Sequence, residues 1–272
     1  MKFTDSHCHL DFKEFTLDKY SSPLSILKQC AEKDIHKIIV PAIKPDNWDD
    51  VLALSINNKK SQKSGCKVYA ALGIHPWFLS GLQLEHLDNL AQRVSKNKAN
   101  IVAIGETGLD GVIAIQQDNM IQQYLFFEFQ LHLAQQHKLP VIVHHRRTHN
   151  ETITLLKKIS VERGGIIHAF SGSYQQACQY IDLGFKLGIG GTITYPRAEK
   201  TIKAIKRLPL SSLVLETDAP SMPLYGFQGE SNSPLRIIDV FKKLVELREE
   251  SDEEIAEKIE QNILDVFQFN HD

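Results

Sequence analysis

His7 and His9 stand at i and i+2 near the start of a 272-residue chain. On extended backbone that spacing turns both rings to one side, so two imidazoles can reach one cation. Further along, apolar segments end in residues of the same ligand type: Glu106, His144, His168 and Asp218. Nitrogen and oxygen donors without a thiol suit zinc, manganese, nickel or magnesium rather than copper or iron–sulfur centres. These six donors exceed what one catalytic ion with an open position can use. Two divalent metal ions per chain sharing a bridging carboxylate fit better, and such pairs sit ~3.5–4 Å apart. Glu106 is the expected bridge, because the flanking Gly105 and Gly108 let the chain bend sharply around it.

Parity along each strand refines this set. Asp5 shares the side of His7 and His9, and Glu216 that of Asp218. Both are expected to accept hydrogen bonds that fix ligand orientation; an ordinary bonded core polar is the alternative for Glu216. Only one of His144 and His145 can face inward. His144 continues Val141-Ile142-Val143 and shares its side with Arg146, so it is the expected ligand. His145 then lies toward the helices or a loop edge.

Placing these residues together requires short strands with helices between them. Candidate strands are Lys2–His9, Ile35–Ile43, Lys67–Pro76, Ile101–Leu109, Pro140–His145, Gly165–Phe170, Lys186–Gly191 and Ser212–Asp218. Candidate helices include Ser22–Lys33, Gln83–Lys96, Asn119–His137 and Ser173–Leu183. Continuous β-branched runs such as Val141-Ile142-Val143 indicate parallel strands buried on both faces. The alternation predicts an α/β fold, a single TIM (β/α)8 barrel spanning residues 1–272. Its C-terminal strand ends would then carry the chemistry. An open doubly wound sheet is the alternative, but a Rossmann sheet would want a GxGxxG after a strand, and the chain has none.

Composition narrows the function classes. The chain is 42% hydrophobic and 24% charged, as ordinary globular proteins are. With 31 Lys plus Arg against 33 Asp plus Glu, the net charge of −2 disfavours coating duplex DNA over the whole surface. Four cysteines lie far apart without CxxC spacing, which suits reduced thiols and a cytoplasmic location. No apolar run reaches the ~18 residues of a membrane span, and the N-terminus turns polar too soon for a signal peptide. No membrane association and no obligate protein partner are expected. The acidic stretch Glu246–Glu260 reads as a solvated helix face. Lys200, Lys203, Lys206 and Arg207 form a basic helical patch, either plain surface or a steering site for nucleic acid. The aromatics of Tyr124–Phe129 stand at helix spacing and should be core. Trp77 either stacks on a base or packs in its loop.

Five ordered motifs carry a family resemblance: Asp5-Ser-His7-Cys-His9, Gly105-Glu106-Thr-Gly-Leu-Asp110, Leu139-Pro-Val-Ile-Val-His144, His168-Ala-Phe-Ser-Gly-Ser173 and Glu216-Thr-Asp218-Ala-Pro220. They resemble the TatD-type metal-dependent deoxyribonucleases from residue 3 to about 267. Arg146–His149 and Gly190–Arg197 look closest to one branch of that family. The resemblance implies a TIM barrel, a two-metal site and hydrolysis of DNA phosphodiesters, often from the 3′ end. Single-stranded DNA or 3′ ends would be the substrate. By position, His7, His9, Glu106 and Asp218 would hold one ion, and Glu106, His144 and His168 the second. His75 and Arg146 match positions lining the substrate side. Thr107, Gly111 and His145 depart from the common pattern, and none of them removes a ligand.

The residues themselves suggest a division of labour. Asp218, a ligand beside the attacking water, is the expected proton acceptor, with Glu106 as the shared catalytic carboxylate. Arg146 could hold a non-bridging oxygen through its planar fork, or make a structural ion pair. The Ser171–Ser173 turn opens a helix, where Ser171 could meet an anion or simply cap. Two other functions remain open: a binuclear hydrolase of a small phosphate ester or amide, and a non-catalytic metal-bearing binding protein. Amidohydrolases of this type bridge their metals with a carbamylated lysine on the fourth strand. Ile101–Glu106 has no lysine and supplies a glutamate instead.

Overall fold

A computed structural model describes residues 1–17, 22–61 and 65–269. Eight strands run in chain order: β1 (Phe3–Asp5), β2 (Ile35–Pro41), β3 (Lys67–Leu72), β4 (Ile101–Asp110), β5 (Val141–Arg146), β6 (Gly165–Ile167), β7 (Phe185–Ile189) and β8 (Leu213–Leu215). Each pairs in parallel with the next. The ring closes between β8 and β1 through the segments that follow both strands. Ser6 N donates to Leu215 O at 3.0 Å and Asp218 N to His7 O at 2.9 Å, with a parallel bridge between Cys8 and Ala219. The seam is therefore built from the ligand-bearing segments.

One principal helix follows each strand: α1 (Pro23–Glu32), α2 (Trp48–Ser61), α3 (Glu85–Asn97), α4 (Met120–His137), α5 (His149–Lys158), α6 (Tyr174–Asp182), α7 (Glu199–Ile205) and α8 (Ile237–Leu247), with α9 (Asp252–Val266) last. This is the TIM barrel expected from the alternation of apolar runs. Caps set several boundaries. Ser22 accepts from Ser25 N at the start of α1, and Ser173 with Gln176 forms a capping box on α6.

Two apolar layers hold the barrel. Inside, Ile39, Ala71, Ala103, Ile142, Ile166 and Val214 meet Ile263, Val266 and Phe267 at the end of α9. Outside, alternate strand residues such as Ile38, Val40, Val141 and Val143 pack against the helices. Phe126 and Phe127 of α4 are buried there, as their spacing predicts. Glu260 departs from the expected solvated face. It ties α9 to the barrel by accepting from Thr4 Oγ1 at 2.7 Å and pairing with Lys37.

Most strands end earlier than their apolar runs suggest. The first stops at Asp5 and not His9, the sixth at Ile167 and not Phe170, and the eighth at Leu215 and not Asp218. Side chains compete with the ladder at these ends. Asp5 Oδ1 accepts from His7 N at 3.2 Å and from Thr217 N at 3.0 Å, while Glu216 Oε1 accepts from Ala169 N at 2.6 Å.

Candidate metal centre

Strand parity carries the inward faces of the barrel core up into polar residues. Ile142 is followed two residues later by His144, Ile166 by His168, and Val214 by Glu216. Glu106 breaks this rule, since Ala103 is the inward residue below it. A register shift between Ile104 and Thr107 inserts an extra residue against β5, and that turns Glu106 inward. Gly108 is required where β4 and β5 meet at the site. A Cβ there would lie 2.0 Å from the His144 carbonyl oxygen.

Four donor atoms converge at the β8–β1 seam. His7 Nε2 lies 3.2 Å from His9 Nε2, 3.1 Å from Glu106 Oε2 and 3.6 Å from Asp218 Oδ1. His9 Nε2 lies 3.6 Å from each of the same two carboxylate oxygens. A tetrahedron with metal–ligand bonds of ~2.0–2.1 Å has edges of ~3.4 Å, which is the scale of these separations. Protonation agrees. His9 Nδ1 is 3.2 Å from the Pro41 carbonyl, which can only accept, so Nδ1 carries the hydrogen and Nε2 presents a lone pair.

His144 stands on the other side of Glu106, between two carboxylates: its Nε2 lies 3.1 Å from Asp110 Oδ2 and its Nδ1 3.1 Å from Glu106 Oε1. Burial would lower its pKa, but the bonds to Asp110 and Glu106 hold it above an ordinary histidine. Asp110 also accepts from Trp77 Nε1 at 2.7 Å and caps the next short helix through Val112 N and Ile113 N. Trp77 thus holds Asp110 through its indole N–H while its ring stays exposed on the cavity wall. His75 is different. Its Nδ1 accepts from Trp77 N at 3.0 Å, so Nε2 carries the hydrogen and donates to Glu106 Oε1 at 3.2 Å. That tautomer makes His75 a donor at the site and not a metal ligand.

His168 stacks on His7 with centroids 3.5 Å apart. Its Nε2 is 3.7 Å from Asp218 Oδ1, and its Nδ1 is 3.1 Å from Glu216 Oε1 without hydrogen-bond alignment. Within the described residues it groups with His7 and Glu216, whereas Glu106 and His144 are joined by His75. Gly188 makes room for Glu216, since a Cβ there would sit 2.1 Å from Oε2.

Charge balance follows the same contacts. Burial would raise the Glu106 carboxyl, but His75, His7 and His144 around it hold it well below the usual range. Burial would likewise lower His168, yet Glu216 and Asp218 keep it well above an ordinary histidine. Burial pushes His75 down to about 4, so it stays neutral. Asp5 is pushed up to about 8 by burial, and it holds the backbone of the β1 and β8 ends, not a ligand ring.

The donor set fits cations. Lone pairs face one another at His7, His9, Glu106 and Asp218, and the buried His7 Nδ1, His168 Nδ1 and Glu216 Oε2 have no hydrogen-bond partner. A cavity of about 490 Å³ opens over the cluster, lined by His9, His75, Glu106, His144, His168 and Asp218 together with Arg146 and Ser171. All nine residues singled out from the sequence therefore reach one region, eight of them on the cavity wall and His7 buried beneath. Asp110 was missed as a support for His144. Its signal was an aspartate directly before a helix start. The His145 ring packs among His149, Phe170 and Tyr180 while the residue also borders the cavity, and burial lowers it well below an ordinary histidine.

A parallel (β/α)8 barrel with histidine and carboxylate clusters at its C-terminal strand ends is the architecture of a metal-dependent hydrolase. Residues 4–268 match the family of TatD related DNases, and the chain belongs to that family. It is 45% identical to YjjV of Escherichia coli K12, a metal-dependent hydrolase, over 98% of both chains. A metal-dependent hydrolase of Haemophilus influenzae is 40% identical, over 98% of this chain and all of that one. The crystal structure of the E. coli protein, described as a TatD homolog, superposes with a TM-score of 0.90 at 44% identity, covering 98% of each chain.

Proposed function

We propose that this protein hydrolyses phosphodiester bonds of DNA, with single strands or 3′ ends as substrate and two divalent ions as cofactor. The observation that carries this reading is Glu106, whose two oxygens face different donor groups: Oε2 with His7 and His9, Oε1 with His144. A shared carboxylate on the fourth strand, where no lysine stands, favours phosphate chemistry over amide hydrolysis. His7, His9, Glu106 and Asp218 would hold one ion, and Glu106 with His144 the other; the family resemblance adds His168 to this second set, although its ring here lies nearer His7, Glu216 and Asp218. Bound divalent ions supply Lewis acidity and neutralise the charge of a phosphate undergoing in-line displacement.

The chain's own groups do the rest. Asp218 is a carboxylate on the cavity wall whose side chain is 13% exposed, so it can accept the proton of an attacking water. Neutral His75 offers Nε2–H at the site. Arg146 is exposed on the cavity rim, has no carboxylate partner among the described residues, and can hold a non-bridging oxygen. Ser171 also lines the cavity, free of the capping role that Ser173 fills. The four cysteines are free, which suits a reducing, cytoplasmic setting. Among the described residues no helix is long and apolar enough to cross a membrane.

The test is a panel assay with metal-loaded protein on single-stranded DNA, a phosphodiester reporter and a set of amides. Cleavage of DNA and reporter is expected. Turnover of amides alone would overturn the proposal, and turnover of small phosphate esters without DNA would restrict it.

A further inference from the structure

A second cavity, of about 520 Å³, lies beside the metal centre and is lined by Tyr195, Arg197, Lys200 and Pro223. Ser171, Thr192 and Met222 line both this cavity and the one over the metal ligands, so the two adjoin. Each volume falls in the ~300–1,000 Å³ range of small-ligand sites. The second cavity has no carboxylate and no amide side chain in its lining. Arg197 and Lys200 have no carboxylate partner among the described residues, whereas neighbouring Lys203 pairs with Glu199 at 3.5 Å. Arg197 is not a loose surface cation. Its guanidinium lies 4.8 Å over the Tyr195 ring, and the Tyr195 hydroxyl donates to Pro223 O at 2.7 Å, which fixes that ring between two loops.

Two unpaired cations in a concave wall focus a positive potential. With the Ser171 and Thr192 hydroxyls nearby they match the oxygens of a phosphate, for which a guanidinium fork is the favoured partner. Base edges would require amide or carboxylate readers, and this wall has none. We propose that the cavity binds a second phosphate of the substrate, adjacent to the ester held at the metal centre. The inference rests on the phosphodiester reading and narrows it. The preferred substrates carry at least two phosphates, from a neighbouring nucleotide or from a terminal phosphate group.

The test uses the metal-loaded full chain and the double variant Arg197→Gln/Lys200→Gln, both positions being exposed and outside the core. Binding of fluorescently labelled pentathymidylate, with and without a 5′ phosphate, is measured against salt. Hydrolysis of bis(p-nitrophenyl) phosphate, which has a single phosphate, is measured in parallel. The variant should lose about tenfold in pentathymidylate affinity, and its log–log salt slope should shrink by about 0.7, one phosphate contact on a single strand. Turnover of the single-phosphate reporter should be unchanged. Equal losses on both strands assign an internal phosphate, and a loss confined to the phosphorylated strand assigns a terminal one. Unchanged affinity and slope, or no binding by the wild type, would overturn the inference. Binding that responds as expected while the wild type hydrolyses no reporter would overturn only the phosphodiester reading.

Discussion

Asp110 and Asp218 sit at one site and do different work. Asp110 meets His144 Nε2 and accepts from Trp77 Nε1, so it holds the His144 ring with Nδ1 toward Glu106. Asp110→Asn should weaken metal binding ~10–100-fold, as loss of such supports does elsewhere, with the rate recovering at excess metal. A metal titration of activity checks this; a deficit that persists at saturation would give Asp110 a more direct role. Asp218→Asn should behave in the opposite way. It keeps one oxygen donor but loses the base, so activity should stay ~10²–10⁴-fold down even with metal saturating. Full recovery would assign Asp218 to ligation alone. Residue types and spacing made the six expected ligands legible, but not that Glu216 groups with His7 and His168. They did not reveal that His75 is a hydrogen-bond donor, because its tautomer depends on a backbone contact from Trp77.

Strand register decides which of two adjacent histidines faces the site. His144→Ala should abolish hydrolysis, while His145→Ser, which changes a ring packed toward Phe170 and Tyr180, should leave a substantial part of it. Equal and severe losses would mean that the β5 register differs from the one described. The approach of β4 to β5 is as demanding. Gly108 has φ +145°, and its missing Cβ leaves room for the His144 carbonyl, so Gly108→Ala should lower both the melting temperature and the metal content. Calorimetry with elemental analysis would show it, and an unchanged metal content would count against the close approach. Apolar runs made the strands and their order legible, because burial on both faces leaves a continuous β-branched run that local sequence shows. The strand ends were not legible, since Asp5 and Glu216 take backbone donors that partner residues distant in sequence supply. The inward turn of Glu106 depends on a bulge that the two glycines only hinted at.

At the scale of the whole molecule, the ligands stand on top of an apolar barrel core, not in place of one. Ile39, Ile142, Ile166 and Val214 are fully buried beneath them, with α9 closing the opposite end. The metal-free protein should therefore remain folded, and bound ions should add stability by mass action. A ligand at about 100 times its dissociation constant contributes ~2.7 kcal/mol. A barrel of this size gains roughly 2–4 °C in melting temperature per kcal/mol, so saturating metal should raise it by roughly 5–10 °C over protein in chelator. Elemental analysis should find about two divalent ions per chain. His7→Ala with His9→Ala removes two donors from the seam cluster and leaves Glu106 and His144 facing each other. That variant should bind about one ion fewer, keep its fold in chelator, and gain correspondingly less on metal addition. Unfolding of the wild type on chelation would mean that the ions are structural. Absence of bound metal at saturation would remove the basis for reading this cluster as a hydrolytic centre.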